Sequence, residues 1–87
     1  MPDMKITFKL FATLTAYLPP QARRANQLEL EVAPTDSIAT IIEPFGLPAK
    51  LVHLVLVNGR YVAPELRGTA TLNDGDVLAI WPPIAGG

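Results

Sequence analysis

Apolar and polar residues alternate in two stretches near the start of the chain. In Lys5-Ile6-Thr7-Phe8-Lys9-Leu10-Phe11 the pattern has period 2, which predicts a half-buried strand with Ile6, Phe8 and Leu10 toward a core. Gln27-Leu28-Glu29-Leu30-Glu31-Val32 repeats it, with Leu28, Leu30 and Val32 inward. The two are close enough in sequence to pair antiparallel. Between them, Ala12 to Leu18 predicts a helical turn or two stopped by Pro19-Pro20, and residues 21–26 a loop. The period then changes. Ile38, Ile41, Ile42 and Phe45 fall at helical spacing behind Pro34-Thr35-Asp36, which predicts a helix with Thr35 or Asp36 as its N-cap. Pro44 removes a backbone donor and disfavours helical geometry at Glu43. The regular helix should therefore stop near Glu43, with Phe45 still packing inward and Gly46-Leu47-Pro48 closing the segment.

Farther on, Leu54-Val55-Leu56-Val57 is a nearly continuous apolar run suited to a buried strand. Asn58-Gly59 is a strong hairpin signal, because both residues tolerate positive φ, and Arg60-Tyr61-Val62 is the return strand. Residues 64–71 read as loop, Asn73-Asp74-Gly75-Asp76 as a turn and Val77 to Trp81 as the last strand. This order predicts an α+β domain: one mixed sheet of four to five strands with a helix packed across one face. If Leu78 and Ile80 point into the core, alternation puts Ala79 and Trp81 on the other face. They are the candidate partner-binding residues, with Trp81 an exposed aromatic anchor.

Composition narrows the class. Eighty-seven residues make a single domain over 1–87, and 49% hydrophobic with 17% charged residues is a globular balance, far from a disordered one. The formal charge is −1, and Arg23-Arg24 is an isolated basic pair in a loop, so no nucleic-acid partner is expected. The longest apolar stretch, Leu51 to Val57, is broken by His53 and too short to span a bilayer. Met1-Pro2-Asp3-Met4-Lys5 lacks the layout of a signal peptide, and the expected location is the cytoplasm. The absence of cysteine excludes disulfides and thiolate chemistry, and with a single histidine no ordinary zinc site is expected within one chain. Ser37, the sole serine, reads as a helix-start residue and His53 as structural. Asp74 and Asp76 read as turn residues, not as a metal loop.

The chemistry concentrates in the last stretch, Trp81-Pro82-Pro83-Ile84-Ala85-Gly86-Gly87. Two prolines end strand pairing and throw the chain outward. Six extended residues, 82–87, reach roughly 20 Å as a flexible tail. Side chains dwindle along it, from branched Ile84 to methyl Ala85 to none at Gly86 and Gly87. Backbone without a Cβ passes through a channel that any side chain would block. Pro82 and Pro83 stiffen the free tail and reduce the entropy lost when it is held. The reactive group at its end is the Gly87 carboxylate, ionised at neutral pH and a poor electrophile as it stands.

Lys9-Leu10-Phe11-Ala12 after the first strand, Gly46-Leu47-Pro48, Val57-Asn58-Gly59 and Asp74-Gly75-Asp76 add to that tail. Together they resemble the ubiquitin-like β-grasp sulfur carriers over nearly the whole chain. That group includes the small subunit of molybdopterin synthase (MoaD) and the thiamine sulfur carrier (ThiS), and Pro82-Pro83-Ile84-Ala85-Gly86-Gly87 is more similar to the molybdopterin branch. The resemblance implies a β-grasp fold and a carrier, not an enzyme, with no bound cofactor. A partner adenylyltransferase of the MoeB/ThiF type would use ATP to adenylate Gly87. A sulfur donor such as a cysteine desulfurase or rhodanese would then give a thiocarboxylate. Pro82, Pro83, Ile84, Ala85 and Gly86 would thread the tail into a MoaE-like large subunit, where sulfur passes to the pterin precursor. Thr15 and Ala16, where many members carry charged residues, and Pro44 within the helix depart from the pattern. A ThiS-like role for thiamine thiazole, another sulfur-transfer pathway, conjugation through Gly87, or a binding module that carries no sulfur are the alternatives.

Overall fold

Ile6, Phe8 and Leu10 are fully buried, and they form the inner edge of β1 (Met4–Leu10). The computed structural model describes residues 3–83. β2 (Gln27–Val32) pairs antiparallel to β1 with Ile6 opposite Leu30 and Phe8 opposite Leu28, so the two alternating patterns share one inner face. The segment between them forms 3-10 turns at Ala12–Tyr17 and Pro20–Ala22 that bury Leu14, Leu18 and Ala22. β3 (Leu54–Val57) and β4 (Arg60–Tyr61) make the expected hairpin, with Asn58 at φ 52° and Gly59 at φ 83°. Both central residues are left-handed, as a turn matched to strand twist requires. β4 is one residue shorter than the sequence suggests, although the Val62 N–H still reaches the Val55 carbonyl at 2.9 Å.

β5 (Val77–Trp81) lies in the middle of the five-stranded sheet, whose order is β2-β1-β5-β3-β4. It runs parallel to β1 and antiparallel to β3. Val55, Leu78 and Ile80 complete the floor of the core, and one helix covers it. That helix, α1 (Ile38–Ile42), is capped by neither Thr35 nor Asp36. The Asp36 carboxylate accepts the Ala33 N–H at 2.9 Å, and Ser37 becomes the N-cap, its Oγ accepting the Thr40 N–H at 3.2 Å. Pro44 acts as expected. Regular α-helix stops at Ile42, a 3-10 turn covers Glu43–Phe45, and Gly46 exits at φ 71°. Phe45 still packs inward, its ring 4.6 Å from that of Phe8.

The loop at residues 64–71 contains a 3-10 turn, Pro64–Leu66, followed by the buried Arg67. At the last turn, Asp76 accepts the Asn73 N–H and Asp74 the Lys5 N–H. No helix among the described residues is long and apolar enough to cross a membrane.

Candidate functional site

The strand that leads to the tail is gripped on both sides. The Phe11 N–H donates to the Ile80 carbonyl at 3.2 Å, and the His53 N–H donates to the Trp81 carbonyl at 3.1 Å. After Trp81, half-buried Pro82 and exposed Pro83 end the pairing. The proposed tail residues Ile84, Ala85, Gly86 and Gly87 lie outside the described residues.

Alternation in β5 holds. Leu78 and Ile80 are fully buried, and Ala79 and Trp81 lie on the outer face. Trp81 is not the free anchor that the sequence suggests, because it is half-buried with its ring stacked on Phe11 at 4.1 Å and 1°. Ala12, at φ 54°, follows immediately and turns the chain away after Phe11, a conformation that costs alanine about 1–2 kcal/mol. Ala79 is only 7% exposed. Lys9 on one side and Leu56 on the other stand beside it in register, so it contributes flatness and little contact area.

Register shows that the outer face is divided. Near the tail it is apolar: Phe11, Trp81, Leu54 opposite Trp81, Leu56 opposite Ala79, and Tyr61, 58% exposed, opposite Leu56. Toward β2 it is polar, with Lys5 opposite Glu31, Thr7 opposite Glu29 and Lys9 opposite Gln27. The sequence reading missed Phe11, Leu54, Leu56 and Tyr61. The signal was present in the Leu54–Val57 run, which is apolar on both faces whereas the core takes only one. An apolar patch of this kind beside Pro82 and Pro83 suits a protein partner that grips the domain at the end of β5.

Arg67 was missed as well. Its Nε donates to the Val62 carbonyl at 3.2 Å, Nη1 to Val52 at 3.1 Å and Nη2 to His53 at 3.1 Å. The His53 residue thus takes Arg67 on its carbonyl and gives its N–H to Trp81. Through it, a buried cation holds the segment against which the root of the tail rests. The His53 side chain itself is exposed. Ser37 is occupied in capping, and Asp76 also accepts from the Asn58 amide at 2.8 Å, so neither forms a catalytic group with His53.

The Phe11–Trp81 stack is expected to couple the two residues. A double-mutant cycle with Phe11→Ala and Trp81→Ala, read by urea denaturation, should give about 0.5–1.5 kcal/mol of interaction energy. Additive losses would mean that the rings only share a surface.

The chain matches the family described as Mut7-C ubiquitin over residues 3–85. No curated protein matches it in sequence. Among solved structures, the HVO 2177 protein of Haloferax volcanii is 27% identical, with a TM-score of 0.70 over 99% of this chain and 89% of that one. SAMP1 from Haloferax volcanii is 24% identical, with a TM-score of 0.65 over 95% and 99%. A chain of the complex of subunits 1 and 2 of molybdopterin-converting factor from Helicobacter pylori is 16% identical, with a TM-score of 0.59 over 97% and 100%. These neighbours carry the ubiquitin-like β-grasp expected from the sequence. With 83 of its 87 residues matched, 3 through 85, the chain belongs to the Mut7-C ubiquitin family.

Proposed function

We propose that this domain is a cytoplasmic carrier whose Gly87 carboxylate is activated by a partner and loaded with sulfur. The observation that carries the reading is the apolar half of the outer face, Phe11, Trp81, Leu54, Leu56 and Tyr61, set at the base of a diproline that leads to Gly86-Gly87. An adenylyltransferase grips that half-face and draws the tail into its site. The carboxylate attacks the α-phosphorus of ATP and pyrophosphate leaves. A persulfide sulfur then displaces AMP from the acyl carbon, and thiol cleavage of the resulting acyl disulfide leaves the thiocarboxylate. Its recipient is a second protein subunit, a reading supported by the fold shared with a chain of the complex of subunits 1 and 2 of molybdopterin-converting factor from Helicobacter pylori. The molybdopterin branch is the pathway we assign, on the Pro82-Pro83-Ile84-Ala85-Gly86-Gly87 tail.

A second reading is supported by the modifier proteins among the structural neighbours: the activated Gly87 is joined to lysines of other proteins. One experiment separates the two. The chain is incubated with ATP, an adenylyltransferase and a persulfide donor, and its intact mass is measured. The carrier reading expects a gain equal to one oxygen exchanged for sulfur, localised to the C-terminal peptide. Isopeptide-linked products without that species would favour the modifier. An unchanged mass alongside a positive-control carrier would sink both.

A further inference from the structure

β2 is an edge strand, and its unpaired side is chemically distinctive. The Leu10 N–H donates to the Asn26 carbonyl, so Leu10 and Asn26 form a hydrogen-bonded pair of the β1–β2 ladder. In an antiparallel ladder such pairs recur every second residue. Leu28, Leu30 and Val32 therefore turn their backbone toward β1, and Gln27, Glu29 and Glu31 turn theirs outward from the sheet. Natural sheets protect such an edge with charged side chains, lysine above all, with proline or with a bulge. Residues 27–32 contain no lysine, proline or bulge, and the charge they carry is acidic, on the exposed Glu29 and Glu31.

A groove of about 340 Å³ runs between this strand and α1, lined by Leu30, Val32, Ile41, Phe45, Asp36 and Thr40 among others. From these features we infer that the β2 edge binds an extended peptide segment of another protein in which basic and branched apolar residues alternate. The backbone of such a segment pairs with Gln27, Glu29 and Glu31 as a sixth strand. Alternate side chains then fall on opposite sides of the sheet. Those on the helix side enter the apolar groove. Those on the other side lie beside Glu29 and Glu31, where lysine or arginine is favoured and a carboxylate is repelled.

The chain's own β1 shows the same chemistry on the other flank of β2, with Ile6 and Phe8 inward and Lys5 opposite Glu31. Charge also excludes the simplest competitor. A second copy adding β2 to β2 would bring glutamates of the two strands side by side, which is unfavourable. The acidic edge resists self-pairing and admits a basic strand.

The test is a 1H–15N titration of the full chain with a synthetic peptide alternating lysine and valine. Shifts and slowed amide exchange should concentrate at Gln27, Glu29 and Glu31, with further shifts at Ile41 and Phe45. Glu29→Lys combined with Glu31→Lys should weaken binding by about tenfold or more. Should that variant fold poorly, the wild-type chain with two altered peptides serves instead. Replacing lysine by glutamate, or N-methylating the backbone on the pairing edge, should abolish the shifts. Perturbations centred on Phe11 and Trp81, equal binding of the glutamate peptide, or no binding would each overturn the inference. Adenylation is not assayed, so the result is independent of the carrier reading.

Discussion

Deleting Gly87 is expected to lower adenylation by about 100-fold or more while leaving the fold untouched. The loss follows from reach. Removing one extended residue withdraws the carboxylate by about 3.5 Å, and a misplacement of even 1 Å costs about 100-fold in a reaction that depends on alignment. ATP–pyrophosphate exchange with a cognate adenylyltransferase reads the effect directly. Gly86→Val keeps the length but puts a branched side chain where bare backbone must pass, and should fail as severely. Glycine has no side chain to bury, so the thermal midpoint should not move for either variant. Exchange at wild-type rate after the deletion would show that the chemistry does not run through Gly87.

Arg67→Met should produce the largest loss of stability from a residue outside the apolar core. Its guanidinium serves the carbonyls of Val52, His53 and Val62, and methionine of similar length serves none of them. Each orphaned buried acceptor costs about 1–3 kcal/mol, although water can reach the exposed His53 and recover part of this. A net loss of about 3 kcal/mol is expected, against a total of about 5–15 kcal/mol for a domain. In a chain of this size that lowers Tm by about 12–24 °C. Arg67→Lys should recover only a part, since a compact ammonium cannot span three separated acceptors. Amide exchange at His53 should accelerate more than at β1, because the released segment carries that N–H. A change in Tm of under 3 °C for Arg67→Met would mean that solvent already satisfies these carbonyls.

Local pattern revealed the elements, and register had to come from the folded chain. Period-2 alternation identified β1 and β2 with their inner faces, because half-burial writes itself into successive residues. The parallel pairing of β1 with β5 left no such trace, since alternation specifies a face and not a neighbour. At the start of α1, Thr35, Asp36 and Ser37 are all competent caps. Ser37 takes the role because the Ala33 N–H already engages the Asp36 carboxylate. The Leu54–Val57 run read as wholly buried, whereas Leu54 and Leu56 face outward and join the patch around Trp81. Arg67 was illegible for a different reason. A lone arginine in a loop has no periodicity, and its partners are backbone atoms, whose placement no side-chain pattern encodes.

The placement of β5 between two neighbours also determines how the domain bears load. Four register pairs join it to β1 and four to β3, all lying along the axis of β5. Traction applied at the end of β5 along that axis therefore loads both ladders in shear, and their hydrogen bonds resist together instead of opening one at a time like a zipper. The short outer hairpin strand β4, with only two register pairs, takes none of this force directly. A partner that withdraws the tail from a tight channel can pull on the strongest line through the molecule.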